Sequence, residues 1–173
     1  MEHPLQLNRW SLRQTDWRAG AVAGFVAGAV LMVLELLWTA MTNDVGPWRN
    51  SQLVAAIVLG QGVTRVSGHL FSVEVIAVAL ATHYALGVVF GMVLGGIATA
   101  LRLRADLTRM LVLGAVFGVA LYLFNFYALA RSFPWFEELR GVPTLIGQIV
   151  FGVTAALLYR RFAREPGQAP GGR

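Results

Sequence analysis

The chain has 173 residues, 57% of them hydrophobic and only 13% charged, with a mean hydropathy of +0.63. A soluble domain of this size is about half apolar and about a quarter charged, so the composition points to a membrane protein with no second, soluble domain left over. All 14 cations are arginines in no continuous basic stripe, which argues against nucleic acid as a partner, and the lack of cysteine excludes disulfides, thiolate nucleophiles, Cys-based metal sites and covalent haem.

Residues 1–17 are mixed polar and aromatic, with Trp10, Arg13 and Trp17, and suit a short amphipathic segment along the membrane surface. They are not expected to begin a cleaved signal, because the apolar run that follows is too long and lacks an A-x-A site. That run, about Arg18 to Met41, is the first of four stretches long enough to cross a bilayer; about 20 residues at ~1.5 Å each span its core. Residues 51–60, Ser-Gln-Leu-Val-Ala-Ala-Ile-Val-Leu-Gly, are apolar but too short to cross, and predict a re-entrant or interfacial helix. The second span is about Val73 to Ala100, the third about Leu107 to Ala130 and the fourth about Val142 to Phe162. Trp48 and the run Phe133-Pro134-Trp135-Phe136 are expected at a membrane interface, and residues 165–173 to be a disordered tail.

Arginine placement predicts orientation. Arg9, Arg13, Arg18, Arg102, Arg104, Arg109, Arg160, Arg161, Arg164 and Arg173 fall on one side, against Arg49, Arg65, Arg131 and Arg140 on the other. Both ends are therefore expected in the cytoplasm of a bacterial inner membrane. The fold expected is an all-α, four-helix transmembrane bundle forming one domain over residues 1–173.

An internal repeat is also visible. Gly24-x3-Gly28-x6-Glu35 in the first span matches Gly114-x3-Gly118-x6-Asn125 in the third, and Pro47-Trp48 answers Pro134-Trp135. Val88-Val89-Phe90-Gly91 resembles Ile149-Val150-Phe151-Gly152. The pattern suggests a parallel two-helix repeat with residues 49–71 inserted in its first half, the alternative being chance recurrence of glycine in membrane helices.

The strongly polar residues inside the spans are Glu35, His83, Asn125 and Gln148. Glu35 and Asn125 each stand seven residues after a glycine, and Gln148 stands four before Gly152. His83 heads the series Gly87, Gly91, Gly95 at steps of four. Such offsets fall on one helix face, and small residues there let helices pack closely, so Gly24, Gly28, Gly87, Gly91, Gly95, Gly114, Gly118 and Gly152 are expected packing positions. At ~1.5 Å per residue, Glu35, His83 and Asn125 lie about 24–28 Å from the arginine side and Gln148 about 18 Å, so all four can meet in one layer.

A carboxylate at that depth is costly unless paired, and His83 is the partner the sequence offers for Glu35. Such a pair can relay protons, bind a metal ion or recognise a polar ligand; alternatively the four residues only hydrogen-bond the helices together. A metal site needs three or four good ligands, so no metal or cofactor is expected, although a haem shared with another subunit stays open. His3 and His69 are expected to be solvated, and Glu74 to be a boundary charge.

The strings Asp16-Trp17-Arg18-Ala19-Gly20, Leu34-Glu35-Leu36, Ala55-Ala56-Ile57-Val58-Leu59-Gly60, Asn125-Phe126-Tyr127 and Phe133-Pro134-Trp135-Phe136 resemble a family of short proteobacterial inner-membrane proteins. The resemblance runs over nearly the whole chain. It implies no activity: some members are labelled sodium:proline symporter, but true members of that family are several times longer. Relatives tend to have a histidine where this chain has Gln148, which weakens a histidine-based metal site.

No metalloprotease, hydrolase or phosphate-loop motif occurs, and the five serines lie near span ends or in loops, so no enzyme activity is expected. The expectation is a non-catalytic membrane component: an accessory, assembly or scaffolding subunit in the lipid bilayer, as a homo-oligomer or part of a larger complex. The alternative is a small oligomeric transporter or channel for an ion, proton or small polar solute, using Glu35 and His83.

Overall fold

In a computed structural model, residues 15–42 and 46–163 are described; the expected N-terminal surface segment, apart from its last residues, and the C-terminal tail lie outside them. The elements are α1 (Trp17–Thr42), α2 (Arg49–Leu59), α3 (Val73–Ala100), α4 (Leu107–Leu123) and α5 (Val142–Phe162). A π turn over Phe124–Ala128 and a 3-10 turn over Leu129–Arg131 prolong α4, and a further 3-10 turn covers Pro134–Leu139. Four of these helical segments are long and apolar enough to cross a membrane, and their bounds agree with the expected spans to within a residue. The chain is an all-α, multi-pass membrane protein.

Helix starts follow local chemistry. Ser72 caps α3 by accepting from the Val75 amide at 3.4 Å, and Asp106 caps α4 by accepting from the Arg109 amide at 3.1 Å. Pro143 stands in the first turn of α5, where its missing amide hydrogen costs nothing.

Lipid is as apolar as leucine, so these helices are held by close packing rather than by exclusion of water. Small residues supply it. On α1 the stripe Ala19, Ala23, Ala27 and Leu31 is buried beside a second stripe, Gly20, Gly24 and Gly28. One residue turns a helix by about 100°, so the two stripes face different neighbours. The glycine stripe meets α3: a Cβ on Gly24 would strike Gly87 O and come within 2.8 Å of Gly91 Cα. The other stripe faces α5, where Gly147 approaches Leu31 Cδ1. α5 likewise serves two neighbours, its Gln148 and Gly152 backbone lying against Gly118 and Gly114 of α4. The order of close packing is thus α3–α1–α5–α4, while α3 and α4 touch only marginally.

The two hairpins α1/α3 and α4/α5 cross at corresponding glycines, Gly24 with Gly91 and Gly114 with Gly152. The hairpins do not meet symmetrically, because α1 packs on α5 and α3 does not pack comparably on α4.

At the arginine-rich end the bundle is solid. Leu94, Ala98, Met110, Ala155, Ala156 and Tyr159 are fully buried. The Tyr159 hydroxyl is 2.8 Å from Thr99 Oγ1, and its ring occupies the space left at Gly95. Gly95 is therefore a packing position against α5, whereas Gly87 and Gly91 pack on α1. Steps of four residues drift by about 40° each, so a long glycine series changes neighbour along the helix. Arg104 Nη2 donates to Ala163 O at 2.7 Å and Arg160 Nε to Arg104 O at 3.1 Å, tying the helix ends together.

Candidate functional site

Toward the opposite end the helices part, because α3 and α4 leave a gap between them. α2, the short helix expected from residues 51–60, packs on α3 and reaches the Pro134–Leu139 turn. Two contacts fasten it to that turn: Trp135 Nε1 donates to Leu53 O at 3.0 Å and Arg49 pairs with Glu138 at 2.7 Å, while Arg49 Nη1 also donates to Thr64 O, in the segment after α2, at 2.5 Å. The Phe133–Phe136 run accordingly forms a small core with Phe126 and Ala130, with Phe136 buried, and does not simply line the membrane interface.

Enclosed by these elements is a cavity of about 490 Å³. Volumes of about 300–1,000 Å³ are usual for small-molecule sites. All four polar residues singled out in the spans stand in its wall: Glu35 from α1, His83 from α3, Asn125 from the π turn and Gln148 from α5. The rest of the wall is largely aliphatic and aromatic, including Phe90, Phe126, Phe136 and Phe151. Leu34, Trp38, Leu86 and Ile146 also line it and are exposed on the outside of the bundle, so the cavity reaches the lipid-facing surface.

The four polar residues share a wall but do not bond to one another. His83 Nε2 donates to Gly28 O at 2.9 Å. A carbonyl can only accept, so Nε2 carries the hydrogen and Nδ1 is left for another contact. The expected Glu35–His83 pair is thus not made: the glycine crossing brings the α1 backbone to the imidazole first. Among the described residues the Glu35 carboxyl, the Asn125 amide and the Gln148 amide have no hydrogen-bond or ionic partner. Gln148 is the extreme case, only 7% exposed.

Asn125 owes its position to the π turn, closed by the Leu129 amide on Phe124 O. The wider turn leaves Phe126 O to accept from Arg140 Nε at 2.7 Å, with the Arg140 guanidinium 4.5 Å from the Tyr127 ring centre. Single π turns inside α-helices recur at functional sites.

Other polar members of the wall were not singled out from sequence. Thr144 stands one turn before Gln148, so the same four-residue rule finds it; Thr82 and Asn50 carry no comparable signal. A smaller cavity of about 80 Å³ adjoins the first and shares Glu35, His83 and Asn50 with it, adding Thr39, Trp48 and Ser51. Gly20 and Gly147 join the packing glycines. His69 and Glu74 are exposed, away from the cavity. Among the described residues no three His, Asp or Glu side chains gather to hold a metal ion. Comparison with protein-family models, with curated proteins and with solved structures found no match to this chain.

Proposed function

We propose that this multi-pass membrane protein is a non-catalytic component of the bacterial inner membrane, both ends cytoplasmic, that holds a small amphipathic molecule in the outer half of the bilayer. The observation that carries this reading is the cavity: a mainly apolar, laterally open cleft of about 490 Å³ reaching the lipid-facing surface, with amide and carboxyl groups in its wall that have no partner among the described residues. A polar group left unmade in a low-dielectric interior is costly, so such groups suit a site whose hydrogen bonds are completed by a ligand. The glycine faces, which on sequence pointed to partner subunits, are occupied within the chain and supply no argument for an external helix.

Native mass spectrometry of the full chain in mild detergent tests the proposal. Wild type is expected to retain a small molecule that Thr144→Phe and Thr144→Trp, which fill the cavity, no longer retain. Identical retained species in wild type and in a folded cavity-filled variant would sink it.

A second reading, solute transport, is favoured by one observation: Glu35 and His83 stand between the main cavity and the smaller one beside Trp48 and Ser51, giving the carboxyl two sides of access. Flux in reconstituted vesicles should then be lost in Glu35→Gln. Unchanged flux in that variant removes the reading.

A further inference from the structure

The walls of the cavity are unequal in charge. Among the described residues Glu35 is the one acid in them, and no arginine stands there to offset it. Two cations beside the cavity are already engaged, Arg49 with Glu138, and Arg140 with Glu137 and Phe126 O. A carboxylate without a counter-charge is poorly tolerated in a low-dielectric interior, and a cation brought to it is attracted far more strongly than in water.

The remaining groups complement the same kind of ligand. Gln148, more than nine-tenths buried and without a partner among the described residues, and Asn125 each carry an amide whose oxygen can accept from an N–H donor. Trp38, Phe136 and Phe151 supply aromatic faces, which attract cations and bury flat apolar bodies.

Resting on the cavity-binding reading, we propose that the ligand is a lipophilic organic cation: a protonated amine or similar onium centre on an apolar, ring-containing body. Glu35 is its counter-charge, Gln148 and Asn125 accept its hydrogen bonds, and the aromatic wall holds its body. An anion of the same shape meets the Glu35 carboxylate with the wrong sign and is refused. Access is lateral, from the membrane, past Leu86 and Ile146.

Tetraphenylphosphonium and tetraphenylborate, nearly identical in shape and opposite in charge, test this on the purified full-length protein. The phosphonium should bind saturably, one per chain, and raise the unfolding temperature; the borate should do neither. Glu35→Gln should weaken phosphonium binding at least tenfold, while Glu35→Asp, which keeps the charge, retains most of it. The aspartate variant keeps the test decisive if the glutamine variant unfolds. Equal binding of the two ions, or full affinity in Glu35→Gln, overturns the cation assignment and leaves the cavity reading standing. Failure of both ions to bind, with no small molecule retained by wild type in the mass-spectrometric experiment, overturns both.

Discussion

The hydrogen bond from His83 Nε2 to Gly28 O alters what Glu35 and His83 should do when substituted. A buried, mutually bonded pair loses more on the first removal than on the second. Here His83 is bonded to backbone through Nε2 and the Glu35 carboxyl has no partner among the described residues, so the two alanine changes should be nearly additive, within about 0.5 kcal/mol. His83→Ala should cost about 0.6 kcal/mol, the average for interhelical hydrogen bonds in membranes. A double-mutant cycle on thermal unfolding in detergent checks this, and coupling well above that margin would show that the two side chains meet. Gln148 gives the complementary prediction. Its side chain lines the apolar cavity with no partner among the described residues, so Gln148→Leu, similar in size and without the polar group, should raise the unfolding temperature while weakening ligand retention. A fall in unfolding temperature would mean that the amide is satisfied within the fold.

At the scale of helices, the bundle depends on contacts that admit no Cβ. On Gly91 a methyl would fall within 2.5 Å of Gly24 Cα and press on Gly20 O as well, so Gly91→Ala should already force α1 and α3 apart. Overpacking of this kind costs about 1–3 kcal/mol. Gly96, in the same helix, offers a control: among the described residues a Cβ there would meet only the Trp17 ring, at 3.7 Å. Gly96→Ala should be neutral or stabilising by up to about 1 kcal/mol through helix propensity. Unfolding temperatures of the two variants in one detergent decide the matter, and equal behaviour would contradict the crossing. The same reasoning explains why α1 and α5 are central. Each carries small residues on two adjacent faces and so accommodates two long helices as close neighbours, where α3 and α4 each have one long helix as their main neighbour.

For the whole molecule, orientation is the property with the widest consequences, because it sets which leaflet the cavity faces. The chain has no cysteine, so single cysteines introduced at exposed loop positions report it directly. Arg65→Cys and Glu137→Cys should react with an impermeant maleimide applied to intact cells, and Ala105→Cys only after the membrane is permeabilised. Labelling of position 105 from outside would invert the molecule and put the cavity in the inner half. Asymmetry between the two hairpins matters at this scale too. Had α3 packed on α4 as α1 packs on α5, the volume now open between the hairpins would be filled.

The sequence by itself determined the spans, the short helix over residues 51–60, the glycines as close-packing positions and the convergence of the four polar residues on one level. These depend on local quantities: the length of an apolar run, and residue offsets of four and seven that the helical period converts into faces. Only the tertiary structure decided that α1 and α5 join the hairpins, that Gly95 turns to Tyr159, that His83 bonds Gly28 O and leaves Glu35 unpaired, and that α4 widens into a π turn at Asn125. Each of those choices depends on which neighbour reaches a given face first. A helical period states where a side chain points but not what stands opposite it, and packing between small-residue stripes settles that competition through differences of a single turn.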